Sequence, residues 1–151
     1  MTDALEQLAR QTEALAQKLS GPERKKLLAK MGQSLRQKQA ERIRGNVQPD
    51  GSAMEPRKPQ PQLRKRGRTR RRMFAKMVKT TWLKSTATPS EGTVQFVGGA
   101  RRIATVNHFG LRDRIGKKEV KYPERKLLGI TDADISEMED ILLSHMTQDG
   151  V

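Results

Sequence analysis

The chain has 151 residues, a formal net charge of +14 and only 34% hydrophobic residues, five of which are aromatic. That length allows one modest domain, and the composition excludes a large apolar core, so burial is expected to be completed against another subunit. The absence of cysteine excludes a disulfide framework and a thiolate metal site, and with no secretory leader or membrane span in the sequence, a cytosolic protein is expected.

Leu5, Leu8, Thr12, Leu15 and Leu19 recur at alternating spacings of three and four, which predicts an amphipathic helix over roughly 3–19. Ser20-Gly21-Pro22-Glu23 reads as a capping box, in which Ser20 accepts from the Glu23 amide and the Glu23 carboxylate reaches back. Pro22 sits in the first turn, where its missing N–H is harmless. A second helix follows over about 21–45, with Leu27, Leu28, Met31, Leu35 and Ile43 on one side and Gly45-Asn46 at its end.

Residues 47–72 differ in kind. Pro49-Asp50-Gly51 is a turn signal, and Pro56, Pro59 and Pro61 forbid regular structure. Between Glu55 and Glu91 there is no acidic residue and there are twelve basic ones, so this stretch accounts for nearly all of the net charge. A cationic block of this kind repels itself and stays solvated until a polyanion or an acidic protein surface neutralises it. Its densest part, Arg64, Lys65, Arg66, Arg68, Arg70, Arg71 and Arg72, is the expected partner-contacting arm.

Order is expected to resume at Met73, with a short helix over about 69–79 and a β-hairpin of Thr81–Ala87 and Thr93–Val97. Ile103 to Phe109 reads as a short helix closed by Gly110, residues 111–121 as a polar loop, and Lys126–Gly129 as a turn. Thr131 is suited to cap a last helix over about 132–147, with Asp132 and Asp134 placed favourably in the helix dipole. The reading is an α+β protein: a helical pair over 1–46, a Pro-rich basic arm over 47–72, and a small α+β core with a C-terminal helix over 73–151.

No constellation suggests catalysis. His108 and His145 lie far apart with no carboxylate at ligand spacing, the paired acids of the last helix are explained by dipole and solubility, and Gly98-Gly99 lacks the lysine and helix of a phosphate loop. No enzyme activity, metal or cofactor is expected. The arm has three readings: contact with nucleic-acid phosphates without sequence preference, docking on an acidic protein neighbour, or a solvated loop.

Residues 101–143 carry a recognisable pattern. Arg102-Ile103-Ala104, Val106 and His108-Phe109-Gly110-Leu111-Arg112-Asp113-Arg114 are followed by Tyr122-Pro123, Arg125, Leu127-Leu128-Gly129 and Thr131-Asp132-Ala133-Asp134. With Leu35-Arg36 through Arg42-Ile43, the Pro49-Asp50-Gly51 turn and Arg72-Met73-Phe74 upstream, nearly the whole chain resembles the phage virion morphogenesis family, the tail completion protein S family of contractile-tailed phages. Met54, where the family carries an aromatic, Asn107, where it carries a His, and the residues flanking Arg125 depart from the pattern.

The resemblance implies a non-enzymatic assembly factor that finishes the head-proximal end of the tail for head–tail joining. Its implied partners are other tail and neck proteins and further copies of itself, a six-fold ring being favoured. Contact with DNA backbone without sequence preference is a further expected interaction, and no membrane is expected as a partner. It would assemble in the host cytoplasm and reside in the virion tail or neck. Ile103, Val106, His108, Phe109, Tyr122, Pro123 and Arg125 are the expected subunit-packing residues. A sequence-independent nucleic-acid-binding protein is the alternative.

Overall fold

The computed structural model describes residues 2–57 and 73–148. In chain order they form α1 (Thr2–Ala16), α2 (Gly21–Arg44), β1 (Leu83–Ala87), β2 (Gly92–Phe96), α3 (Gly99–Phe109), β3 (Arg112–Ile115), β4 (Lys118–Lys121) and α4 (Asp132–Gln148). The strands form two separate two-stranded sheets, β1 with β2 and β3 with β4. The class is α+β, with the N-terminal helical pair and the C-terminal helix in place. Two compact units emerge, one drawn from 1–38, 84–95 and 130–151, the other from 39–83 and 96–129.

The first unit is built on the leucine and methionine stripes of its helices. Leu19, Leu27, Met31, Leu142 and Met146 are buried together, with Leu15, Leu28, Met138 and Ile141 packed against them. Leu19 lies in the turn after α1, spacings of three and four put the others on one face of their helices, and α1 lies against α4. The helix starts follow local chemistry. Ser20 Oγ accepts from the Glu23 amide at 3.3 Å, as expected. The Glu23 carboxylate, however, is turned away from the cap, 3.5 Å from His145 Nε2 and 3.6 Å from Lys26 Nζ. At α4 the box is complete: the Asp134 amide donates to Thr131 Oγ1 and the Thr131 amide donates to Asp134 Oδ2, both at 3.0 Å.

In the second unit α2 ends in a Schellman motif. Val47 N–H donates to Arg42 O and Asn46 N–H to Ile43 O, with Asn46 rather than Gly45 in the left-handed conformation. A turn follows, Val47 bridging Ala53, with Gly51 at φ 89° and Asp50 Oδ1 accepting from the Ser52 amide and hydroxyl. Met54 is buried.

Three expectations are corrected here. Residues 73–82 are a succession of turns rather than a helix; Phe74 has φ 60°, which a right-handed helix cannot accommodate, although Met73, Met77 and Val78 are buried. Residues 69–72 lie outside the described residues. The stretch 111–121 is a second hairpin, paired Arg112↔Lys121, Asp113↔Val120, Arg114↔Glu119 and Ile115↔Lys118, closed by Gly116-Lys117 with Gly116 at φ 64°. Lys126–Gly129 forms no turn; 122–130 is an irregular strap.

Candidate functional site

The site forms in the second unit, where the strap is held against α3, α2 and the 47–57 turn. Its backbone donors find acceptors at successive points. Tyr122 N–H donates to Leu111 O, Arg125 N–H to Asn107 O, Lys126 N–H to Gln48 Oε1, Leu127 N–H to His108 Nδ1 and Gly129 N–H to Gln39 Oε1. Gln39 Nε2 and Arg42 Nη2 in turn donate to Gly129 O. A segment without ladder partners is thereby satisfied mostly by side chains, which buried backbone requires. Two glycines permit the approach. A Cβ at Gly129 would stand 2.6 Å from Pro49 Cγ, and Gly110, at φ 63°, closes α3 where a Cβ would meet Glu124 N at 3.0 Å.

Arg125 is the hub. It is 6% exposed, and its guanidinium donates to Glu55 O (2.7 Å), Asn107 Oδ1 (3.0 Å) and Pro56 O (3.1 Å). Asn107 Nδ2 is itself anchored on Ile103 O at 2.9 Å. The buried amide at 107 thus supplies a neutral acceptor for the guanidinium. Burial pushes the guanidinium below its ordinary value, Glu55 opposes this and Arg57 adds to it; a guanidinium remains charged throughout the physiological range. His108 accepts from Leu127 N–H through Nδ1, so its ring proton lies on Nε2. Burial, then Lys126, hold it below the usual imidazole value against a smaller opposing effect of Glu124. Its ring meets Phe109 edge-on, centroids 4.7 Å apart. Arg102 is paired with Asp113, tying α3 to β3 and lowering the Asp113 carboxyl.

Around this hub opens a cleft of about 750 Å³. Its walls are mainly apolar, with Ile103, Ile115, Val120, Tyr122 and Pro123 facing it from α3, the second hairpin and the strap. Arg57 and Lys121 contribute positive charge to the lining. Arg57 and Met73, which flank the segment 58–72, both line the cleft. Ile103 is 50% exposed and Ile115 59%, and Phe109, outside the cleft lining, is 63% exposed. Apolar side chains grouped and uncovered in this way have the character of an interaction surface.

Among the expected packing residues, Ile103, Tyr122, Pro123 and Arg125 meet at the cleft, whereas Val106, His108 and Phe109 do not line it. Val106 and Arg125 are buried within the unit itself, so they shape the surface from beneath. The expected arm contacts Arg64, Lys65, Arg66, Arg68, Arg70, Arg71 and Arg72 lie outside the described residues. Ile115, Val120 and Lys121 were hidden in a stretch that reads as a polar loop; the Gly116-Lys117 step flanked by opposed charges was the available signal. Among the described residues no group of three or more His, Asp or Glu side chains is placed to hold a metal ion, and no helix is long and apolar enough to cross a membrane.

Residues 3–147 match the sequence pattern of the phage virion morphogenesis family. The chain is 38% identical over 135 residues to the tail completion protein S of Escherichia phage P2, covering 87% of this chain and 90% of that protein. No solved structure matches it.

Proposed function

The chain belongs to the phage virion morphogenesis family, and from that premise we propose that it is a tail completion protein, finishing the head-proximal end of the tail for head–tail joining. The observation that carries this reading is the likeness to a protein named for tail completion along almost the full length of both chains. It acts by binding alone, as a component of the neck. Two features of the second unit support this: an apolar cleft with exposed isoleucines, and a cationic stretch of sequence between Arg57 and Met73, which both line that cleft. It assembles in the host cytoplasm, self-associates into a ring, six-fold by preference, and remains with the tail. Ile103, Phe109, Tyr122 and Pro123 contact neighbours directly, while Val106, His108 and Arg125 hold that surface in shape. The arm from Arg64 to Arg72 grips an acidic face of an adjoining tail or neck protein.

The test replaces residues 58–72 with a Gly/Ser linker of equal length. This spares Met54 and the Glu55 and Pro56 carbonyls that bind Arg125. The altered protein should melt as the wild type does and fail to restore head–tail joining to tails lacking it. Full restoration would leave the arm without a role. The nucleic-acid alternative rests on the charge of the same segment. It requires DNA binding whose log K falls with log salt at a slope near about −5 if some six phosphates are neutralised, and charge reversal of Arg70, Arg71 and Arg72 that abolishes DNA binding and tail joining together. Joining lost with DNA binding intact favours a protein partner.

A further inference from the structure

The cleft of the second unit has a complement elsewhere on the same chain. Helix α4, DADISEMEDILLSHMTQ, carries five carboxylates and no lysine or arginine. Asp132 and Asp134 sit in the first turn, where the helix dipole accounts for them, and Asp134 also serves the cap. Glu139 and Asp140 are mid-helix, beyond the first turn where cap and dipole act, so of the two general explanations only solubility applies to them. They stand four and three residues before Leu143, so they flank it on one surface patch, and Leu143 is 61% exposed. A leucine projecting between two carboxylates is the inverse of an apolar cleft lined by Arg57 and Lys121.

We propose that the cleft receives the exposed α4 face of a second copy of this chain, Leu143 entering between Ile103 and Ile115 while Glu139 and Asp140 meet Arg57 and Lys121. This rests on the self-assembly part of the function proposed above and names its two faces. Because the faces differ, the contact is heterologous: any open assembly keeps one free cleft at one end and one free helix face at the other, and association continues until a ring closes. Glu55 also lines the cleft, but it acts electrostatically on the buried Arg125 guanidinium, so the net charge presented to an incoming carboxylate pair remains positive. Charge pairing across the contact sets its direction and selects against cleft-to-cleft and helix-to-helix encounters, which bring like charges together.

The experiment uses full-length protein in sedimentation velocity over a concentration series at low salt. One variant alters the helix face, Leu143→Ser with Glu139→Gln; the other alters the cleft, Ile115→Ser with Lys121→Gln. Leu143, Ile115 and Lys121 are exposed and Glu139 is half-buried, and unchanged melting verifies that the fold is kept. The wild type is expected to form oligomers beyond a dimer. Each variant alone is expected to associate at least about tenfold more weakly. An equimolar mixture of the two is expected to form one-to-one dimers and nothing larger, because it retains a single intact pair of faces. A wild type that stays monomeric overturns the proposal, as do a helix variant that associates like the wild type, a mixture that stays monomeric, and a wild type that assembles only when DNA or an acidic peptide is added. Tail completion measured in parallel separates the two readings. A monomer that completes tails removes this interface and leaves the tail function standing, whereas an assembling protein that never completes tails keeps the interface and removes the tail function.

Discussion

The two units of this chain are held together by different physics. The first, close to neutral with nine basic and eleven acidic residues, buries leucines and methionines from three helices. The second carries twenty-two basic and six acidic residues. There the strap is fixed largely by polar side chains that bind backbone: Gln39, Gln48, His108 and Arg125. Eight of the second unit's basic residues fall in 58–72, so charge is concentrated there even without that segment. Apolar packing tolerates approximate shape and gives stability, whereas hydrogen bonds to backbone fix position and are costly to leave half made.

The comparison can be broken most sharply at Arg125. Arg125→Ala strands three acceptors in a buried site and should cost about 3–4 kcal/mol in urea unfolding, since charge-assisted bonds and their orphaned partners dominate. Arg125→Lys should recover less than half of that, because an ammonium cannot reproduce the fork. A loss under about 1 kcal/mol would mean that the second unit does not depend on its polar hub. In the first unit, Leu27→Ala should cost about 3 kcal/mol through lost burial and the cavity left behind, measured in the same way. His108→Ala should cost about 1.5 kcal/mol by removing the acceptor of Leu127 N–H. His108 also gives the second unit a pH dependence. Its folded value lies below the ordinary imidazole value, so the unfolded chain takes up a proton first as pH falls. Stability contributed at neutral pH therefore declines as pH falls from about 6.5 toward the lowered folded value. His108→Asn, which keeps an acceptor, should flatten that decline while retaining most of the stability. The smallest effect, about 1 kcal/mol, is expected for Thr131→Ala at the α4 cap; a melting shift resolves it.

How much of this could be read from residues alone follows the same line. Helices α1, α2 and α4 were legible because Leu8, Leu27, Met31, Leu142 and Met146 sit on helical repeats of apolar residues and all are buried, although α1 ends at Ala16 and leaves the buried Leu19 in the turn beyond it. The first hairpin and the Gly110 stop of α3 were legible from turn chemistry. The second hairpin was not, since Arg112–Ile115 and Lys118–Lys121 offer only Ile115 and Val120 as apolar residues and so no alternating apolar face. The Phe74 conformation that prevents a helix after Met73 is imposed by tertiary context and leaves no trace in periodicity. Arg125 stood out through the family pattern as a contact residue; its three acceptors, at Glu55, Pro56 and Asn107, are 18 to 70 positions away, a range that local reading does not reach. The cleft is the product of those distant contacts, which is why its lining emerged only with the fold.

The account stands most directly on electron microscopy of phage tails assembled without this protein and then mixed with the purified full-length chain. It predicts new density at one end of each tail and, on adding filled heads, joined particles. Tails that remain bare and unjoined while the added protein stays free in solution would contradict it.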